Sequence, residues 1–311
     1  MGYTVEVLDT IKKCLDKYGN IFRVYSPSRK NYTYVINEPE YARHILISNH
    51  RNYLKGLGLD RVKVLTGNGL IVSDGDFWKQ QRQMIQPAFH RKVIAGLADL
   101  IIRSNHTLIE KWDKLKKSGT PIDLYEDMST VTLDIVLSAL FSEDLPKLSE
   151  GPGENPYQLL TQETERNLLF AQRFRALSKK WMKIIIDRRK EGRVCYDFVG
   201  MMMEARNKQD GKPMSDNQLL DEIRTLIIAG HETTALTLTW TWYLLSQSPE
   251  HFDKLLNEVI QKIQGPEPKF SELEQLPFMD QLIDDSLRLD PPAWLVPRKS
   301  LNDDLVGNYL I

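Results

Sequence analysis

The chain has 311 residues, 41 % hydrophobic and 27 % charged, with a formal net charge of −1. This is an ordinary globular composition, long enough to bury a large core, and near neutrality excludes nucleic-acid binding driven by bulk charge. Two cysteines, Cys14 and Cys195, stand far apart in unrelated contexts, which excludes a disulfide framework or a cysteine-type zinc site and points to a reducing compartment. No uninterrupted apolar run reaches the roughly 18 residues of a membrane span. Met1–Glu6 lacks the basic start and apolar core of a signal peptide, and Glu6 breaks the myristoylation pattern. The expectation is a cytoplasmic protein without a transmembrane anchor.

In chain order, residues 21–36 are rich in aromatic and β-branched residues around a Ser-Pro-Ser-Arg-Lys-Asn turn, which predicts a β-hairpin. Pro39 opens a helix from Glu40 to Ser48. Ser73-x-x-Asp76 reads as a helix start, with Phe77 to Pro87 following it. Long helical patterns occupy 91–117, 121–141 and 156–191. Gly151-Pro-Gly-Glu-Asn-Pro156 is a loop, too short for a domain linker. Ser215-x-x-Gln218 predicts a capping box for a helix running to Gln247, where Ser248-Pro249 ends it and starts another. Gly265–Pro268 is a second loop, Ser271-x-x-Glu274 starts a short helix, and Phe278 to Leu289 form one more, stopped by Pro291-Pro292. With no repeat or low-complexity segment, residues 1–311 read as one mainly α domain with a small β region.

Four constellations carry candidate chemistry. Leu226-Ile-Ile-Ala-Gly-His-Glu-Thr-Thr-Ala235 places poor helix formers together inside an apolar helix. A zinc-protease motif needs a second His at position 235, which is Ala, so zinc is rejected and no metal ligand is assigned. Thr233 can instead bond back to the Ala229 carbonyl and loosen the helix, Gly230 offers close approach to a flat ligand, and Glu232 offers a proton route. The alternative is a buried helix with a few satisfied polar residues. Trp78-x-x-x-Arg82 puts an indole N–H and a guanidinium on one helix face, able to reach one acidic group or to form a surface packing pair. Asp285-x-x-Arg288 is either a structural pair or a solvated ion pair of little worth, and Arg298 follows on a segment constrained by Pro291-Pro292. The basic run Lys179–Lys190 reads as a solvated helix face before a partner or membrane patch.

The order Trp78-x-x-x-Arg82, Ala229-Gly-x-Glu-Thr-Thr234, Ser286-Leu-Arg-Leu-x-Pro-Pro292 resembles the cytochrome P450 family, and so do Gly75-Asp-Phe-Trp-Lys-Gln-Gln-Arg-x-x-x-x-Pro-Ala-Phe89 and Pro277-Phe-Met-Asp-Gln-Leu-Ile283. The resemblance covers essentially the whole chain. It implies a haem monooxygenase fold, mainly helical, and oxidation of an apolar small molecule with O2 and electrons from a separate ferredoxin or flavoprotein reductase. It further implies that Thr233 and Glu232 are the oxygen-activating pair, and that Ala229 and Gly230 form the wall above the haem. Trp78, Arg82 and Arg298 become haem-propionate donors, and Arg288 the structural arginine of a Glu-x-x-Arg pair. Asp285 stands where the family has Glu, so a buried network there is expected to be strained or to need a helix shift.

In the family, the thiolate that ligates haem iron lies in a Phe-x-x-Gly-x-Arg-x-Cys-x-Gly loop, whereas this sequence stops at Asn308-Tyr-Leu-Ile311, inside the β-strand region after Pro291-Pro292. Neither cysteine has the loop's glycines and arginine. The expectation is a fragment, a truncated product or an incomplete gene model, incomplete at the C-terminus, with exposed apolar surface on its helices. Two other readings stay open: a non-catalytic helical protein binding a hydrophobic molecule or a protein, and a haem protein using His231 as ligand.

Overall fold

Aromatic and β-branched residues on either side of the Ser26-to-Lys30 turn form β1 (Ile21–Ser26) and β2 (Asn31–Ile36), paired antiparallel from Ile21↔Ile36 to Ser26↔Asn31. This is the hairpin expected from the sequence. The computed structural model describes residues 5–27, 30–56, 58–149, 154–162 and 168–311. Its contacts divide into two compact units, residues 1–59 with 296–311, and residues 60–295.

In the first unit, β1 is preceded by α1 (Val5–Tyr18), a helix not anticipated from the sequence. Its signal is the helical spacing of Val7, Leu8, Ile11, Leu15 and Tyr18. The helix at Pro39 is short as an α-helix, α2 (Pro39–Arg43), and continues to Ser48 as a wider π turn, His44–Ser48. β3 (Tyr53–Lys55) pairs antiparallel with β4 (Arg298–Ser300), and β5 (Leu305–Val306) forms a hairpin with β6 (Tyr309–Leu310). Asp304 fastens this hairpin by accepting from Tyr53 Oη at 2.5 Å and His44 Nε2 at 3.0 Å. Strands therefore occur within residues 298–310 as well as in the first hairpin, as expected for the region after Pro291-Pro292.

The second unit is helical. It runs α3 (Leu59–Thr66), α4 (Gly75–Ile85), α5 (Arg91–Ala95), α6 (Ala98–Ser118), α7 (Leu124–Phe141), α8 (Pro146–Ser149), α9 (Leu168–Glu191) and α10 (Phe198–Glu204). Then come α11 (Asp216–Ser246), α12 (Pro249–Lys262), α13 (Phe270–Leu273) and α14 (Pro277–Leu289). The pattern read as one helix over 91–117 is broken at Gly96-Leu97 into α5 and α6. In the pattern over 156–191, a π turn at Gln158–Gln162 precedes α9, residues 163–167 lie outside the described residues, and so do 151–153 of the predicted loop.

Three caps differ from expectation in detail. Asp74 rather than Ser73 precedes α4. Ser215 accepts from the Gln218 amide at 3.2 Å, but the Gln218 side chain turns away to Glu222 at 2.6 Å, so only half of the capping box forms. α13 begins after Lys269, whose amide is met by Glu272 at 2.7 Å, not at Ser271.

The core lies where α7, α9, α10 and α11 meet. Leu133, Leu137, Phe141, Phe174, Leu177, Trp181, Ile185, Val199, Met202, Ile223 and Ile227 are all wholly buried there. Phe174 and Trp181 meet edge to face, with centroids 5.4 Å apart. Each such side chain contributes roughly 1.5–3 kcal/mol relative to leaving it in water.

Within that core sits an ion network that overturns part of the reading of Lys179–Lys190. Lys179, Lys183 and Lys190 are solvated as expected, but Arg188 is wholly buried. Its guanidinium donates to Asp144 Oδ2 at 2.7 Å, to both Asp197 oxygens at 2.8 and 2.7 Å, and to the Phe141 carbonyl at 3.0 Å. Arg193 and Lys147 also bond Asp144. Burial alone would raise the Asp144 carboxyl, but hydrogen bonds from Lys147, Arg188 and Arg193 outweigh it and hold the pKa at about 2. A buried arginine this well partnered is costly to orphan.

The connection from α3 to α4 is fastened to α11 by two acidic side chains. Asp221 accepts from the Asn68 amide and Glu222 from the Leu70 amide, each at 2.8 Å. Gly69 fits because a Cβ there would lie 2.6 Å from the Asp221 carbonyl oxygen.

Candidate active site

α11 carries the polar cluster of the sequence as an unbroken helix, Asp216–Ser246. The expected loosening at Thr233 does not interrupt it. Thr233 Oγ1 donates to the Ala229 carbonyl at 2.7 Å, the bond anticipated from the i−4 spacing. The same bond recurs at Thr234 to Gly230 and at Thr237 to Thr233, both at 3.0 Å. Further along, Thr239 donates to Ala235 at 2.7 Å and Thr241 to Thr237 at 2.8 Å.

The two sides of this helix do different things. His231 is wholly buried; its Nδ1 lies 2.7 Å from the Ile227 carbonyl oxygen and its own carbonyl accepts from Thr132 of α7 at 3.1 Å. A ring enclosed in that way does not line the groove beside Thr233, which removes the geometric basis for His231 as a haem ligand. Gly230 also faces α7, since a Cβ built on it lies 3.2 Å from Val136 Cγ2. The close approach seen at this glycine is helix on helix. Ala229 contributes its carbonyl to Thr233 and is half-buried.

On the other side, Thr233, Thr234 and Thr237 open onto a groove of about 530 Å³. Its remaining wall is apolar: Leu287 from α14, then Pro291, Pro292 and Ala293. Pro291-Pro292 ends α14 and carries the chain across the groove, which is the structural use of a feature read from the sequence only as a constraint. Thr237, Leu287 and Ala293 were not singled out from the sequence. The available signal was three threonines at i, i+1 and i+4, with an apolar partner helix that no local pattern could identify. Glu232, next to Thr233, is half-buried and makes no hydrogen bond or ion pair among the described residues.

Trp78 and Arg82 lie on α4 and are both exposed. Arg82 has no ion pair among the described residues, so its five N–H donors remain available to an anionic ligand. Asp285 and Arg288 pair within α14, Nε to Oδ1 at 2.8 Å, with the side chains 60 % and 65 % exposed. The aspartate reaches without any break in the helix, and the pair is solvated rather than part of a buried network, so the expected strain is absent. It borders a second groove of about 380 Å³ with His251, Phe278, Gln281, Leu282 and Asp284. Arg298 begins β4 in the other unit, is exposed, and donates to the Pro297 carbonyl at 2.9 Å.

Cys195 lies in the connection between α9 and α10, Cys14 lies on α1, and neither lines the threonine groove. Among the described residues, no group of three His, Cys, Asp or Glu side chains is arranged to hold a metal ion, and no helix is long and apolar enough to cross a membrane.

The profile of the cytochrome P450 family matches residues 3–186 and 157–311, which together span nearly the whole chain. The chain belongs to the cytochrome P450 family. Protein LUTEIN DEFICIENT 5, chloroplastic, of Arabidopsis thaliana is 30 % identical over 94 % of this chain and 54 % of its own length. Cyclooctat-9-en-7-ol 5-monooxygenase of Streptomyces melanosporofaciens is 27 % identical over 96 % of this chain and 67 % of its own length. The chain thus spans between about half and two thirds of the length of these two relatives. The cytochrome P450DA haem domain superposes with a TM-score of 0.81 at 20 % identity, over all of this chain and 71 % of that one, which establishes the P450 fold.

Proposed function

We propose that the protein to which this chain belongs is a haem-dependent monooxygenase acting on an apolar organic molecule. One observation carries the reading. In a P450 chain, the hydroxyl of Thr233 is held by the Ala229 carbonyl at the edge of a largely apolar groove, and its neighbour in sequence is Glu232, which makes no hydrogen bond or ion pair among the described residues. The exposed Arg82 guanidinium, which has no ion pair among the described residues, fits a group that bears carboxylates, as haem does. The residues proposed to hold those carboxylates are Trp78, Arg82 and Arg298.

When bound, haem supplies the activation of O2 for insertion of one oxygen atom into the substrate, the other leaving as water. The chain's own part is positioning and proton handling. Thr233 keeps its oxygen fixed at the groove, because the bond to Ala229 removes the freedom of its hydroxyl. Glu232, the residue before Thr233, supplies a proton. Leu287, Pro291 and Pro292 exclude water from the substrate's apolar face. Electrons come from a separate ferredoxin or flavoprotein. The name of the Streptomyces relative, a monooxygenase of a cyclic alcohol, supports the substrate class. The cytoplasmic assignment rests on the two unpaired cysteines, and cell fractionation tests it against the plastid location named for the Arabidopsis relative.

Two measurements test the function. Haem titrated into the protein should give one saturable Soret transition, weakened about ten- to a hundredfold by Arg82→Ala, since a lost charge-assisted hydrogen bond is worth roughly 1.5–3 kcal/mol. In the haem-loaded protein, Thr233→Ala and Glu232→Gln should each lower product formed per electron consumed by at least tenfold, the scale on which positioned proton donors act. Absence of saturable haem binding, or unchanged coupling in both variants, rejects the reading.

A further inference from the structure

We propose that Thr237, with Thr234, makes the groove selective for apolar molecules that carry a hydroxyl group, so that its preferred ligands are alcohols rather than hydrocarbons or ketones. The inference rests on the monooxygenase reading for its biological meaning, but on the groove alone for its chemistry.

Oγ1 of Thr234 lies 3.0 Å from the Gly230 carbonyl oxygen, and Oγ1 of Thr237 lies 3.0 Å from that of Thr233. A carbonyl oxygen has no hydrogen to give, so each hydroxyl proton is already committed to the backbone. What these side chains retain for a groove occupant is lone pairs, and both line the same groove as Leu287, Pro291 and Pro292.

A saturated hydrocarbon pressed against them strips water from those lone pairs without replacing its hydrogen bond. A ketone brings its own lone pairs against them. An alcohol donates and leaves neither side unmet. The selection is therefore exerted by penalties on the wrong ligands, the situation in which discrimination by a single hydroxyl is strongest. Thr237 is a specificity-determining residue here, one helical turn beyond Thr233, whose carbonyl it also binds.

The test uses three molecules of one shape, decalin, 2-decalol and 2-decalone, titrated against the purified protein and followed by ligand-observed NMR. The readout needs no turnover and no haem, so a failure of haem binding would sink the functional reading without touching this one. The expected result is that 2-decalol binds about fivefold tighter than decalin or 2-decalone. Thr237→Val, which keeps the shape and removes the oxygen, should shrink that preference to within twofold, and Thr237→Ser should retain it. Circular dichroism of the variants confirms that the helix is intact. Equal affinity for alcohol and ketone, a preference that survives Thr237→Val, or no saturable binding of any of the three overturns the proposal.

Discussion

Gly230 shows that a motif residue also has a packing role that the sequence does not reveal. Its lack of a side chain brings α11 against Val136 of α7, with 3.2 Å left for a Cβ. Two effects compete on substitution. Alanine gains about 1 kcal/mol of helix propensity over glycine, while crowding at this distance takes back a similar amount. Gly230→Ala should therefore be close to neutral and Gly230→Leu should destabilise by about 1–3 kcal/mol. In a Val136→Ala background the Leu penalty should largely disappear, and urea midpoints around that cycle would show the coupling. Additive effects would mean that the two helices are not in contact there. Asp285 and Arg288 make the opposite case, a motif whose geometry is present but whose energy is small. Both side chains are more than half exposed, so Asp285→Ala should cost under about 1 kcal/mol at low salt and less at high salt. A loss of several kcal/mol would show that the pair is buried by something it contacts in the working protein.

Single elements were legible in proportion to how local their causes are. The Thr233-to-Ala229 bond and the half-cap at Ser215 depend on residues within one turn, and both were readable. The hairpin of β1 and β2 was equally plain, because its turn and its β-branched strands are contiguous. The break between α5 and α6 was not, since Gly96 in a helical pattern is tolerated as often as it terminates. Nor was Arg188, which lies among exposed basic residues and is distinguished only by Asp144 and Asp197, whose approach the sequence does not reveal. That network ties α9 to the end of α7 and the start of α10. Arg188→Ala would leave the buried Asp197 without its charged partner and Asp144 with only Lys147 and Arg193, and should cost about 3–5 kcal/mol, whereas Arg188→Met combined with Asp197→Asn, which keeps a cap for α10, should recover much of the loss. Thermal unfolding of both variants checks this. If the single variant unfolds like the parent, the carboxylates have found other partners and the network does not hold α9 in place.

At the scale of the molecule, the same carboxylate makes stability depend on pH. Folding lowers the Asp144 pKa to about 2, from an ordinary aspartate value near 4. A depressed native pKa means that the unfolded chain binds the proton first as pH falls. The stabilisation is therefore complete above about pH 4 and disappears as pH passes through about 2. Its size is about 2–3 kcal/mol, just under two pKa units at 1.36 kcal/mol each. Asp144→Asn removes the titrating group but leaves Asp197 to bind Arg188, so the variant should fold. Urea unfolding at pH 6 and at pH 2.5 should then show a smaller gap in stability between the two conditions than in the parent, narrowed by about 1–2 kcal/mol. An unchanged gap would transfer the acid sensitivity of the helical unit to other carboxylates. The proposed active site adds a separate constraint: Thr233 lines the groove of α11, and neither it nor Glu232 belongs to the buried network, so Asp144→Asn should change acid stability without changing the coupling of electrons to product at neutral pH.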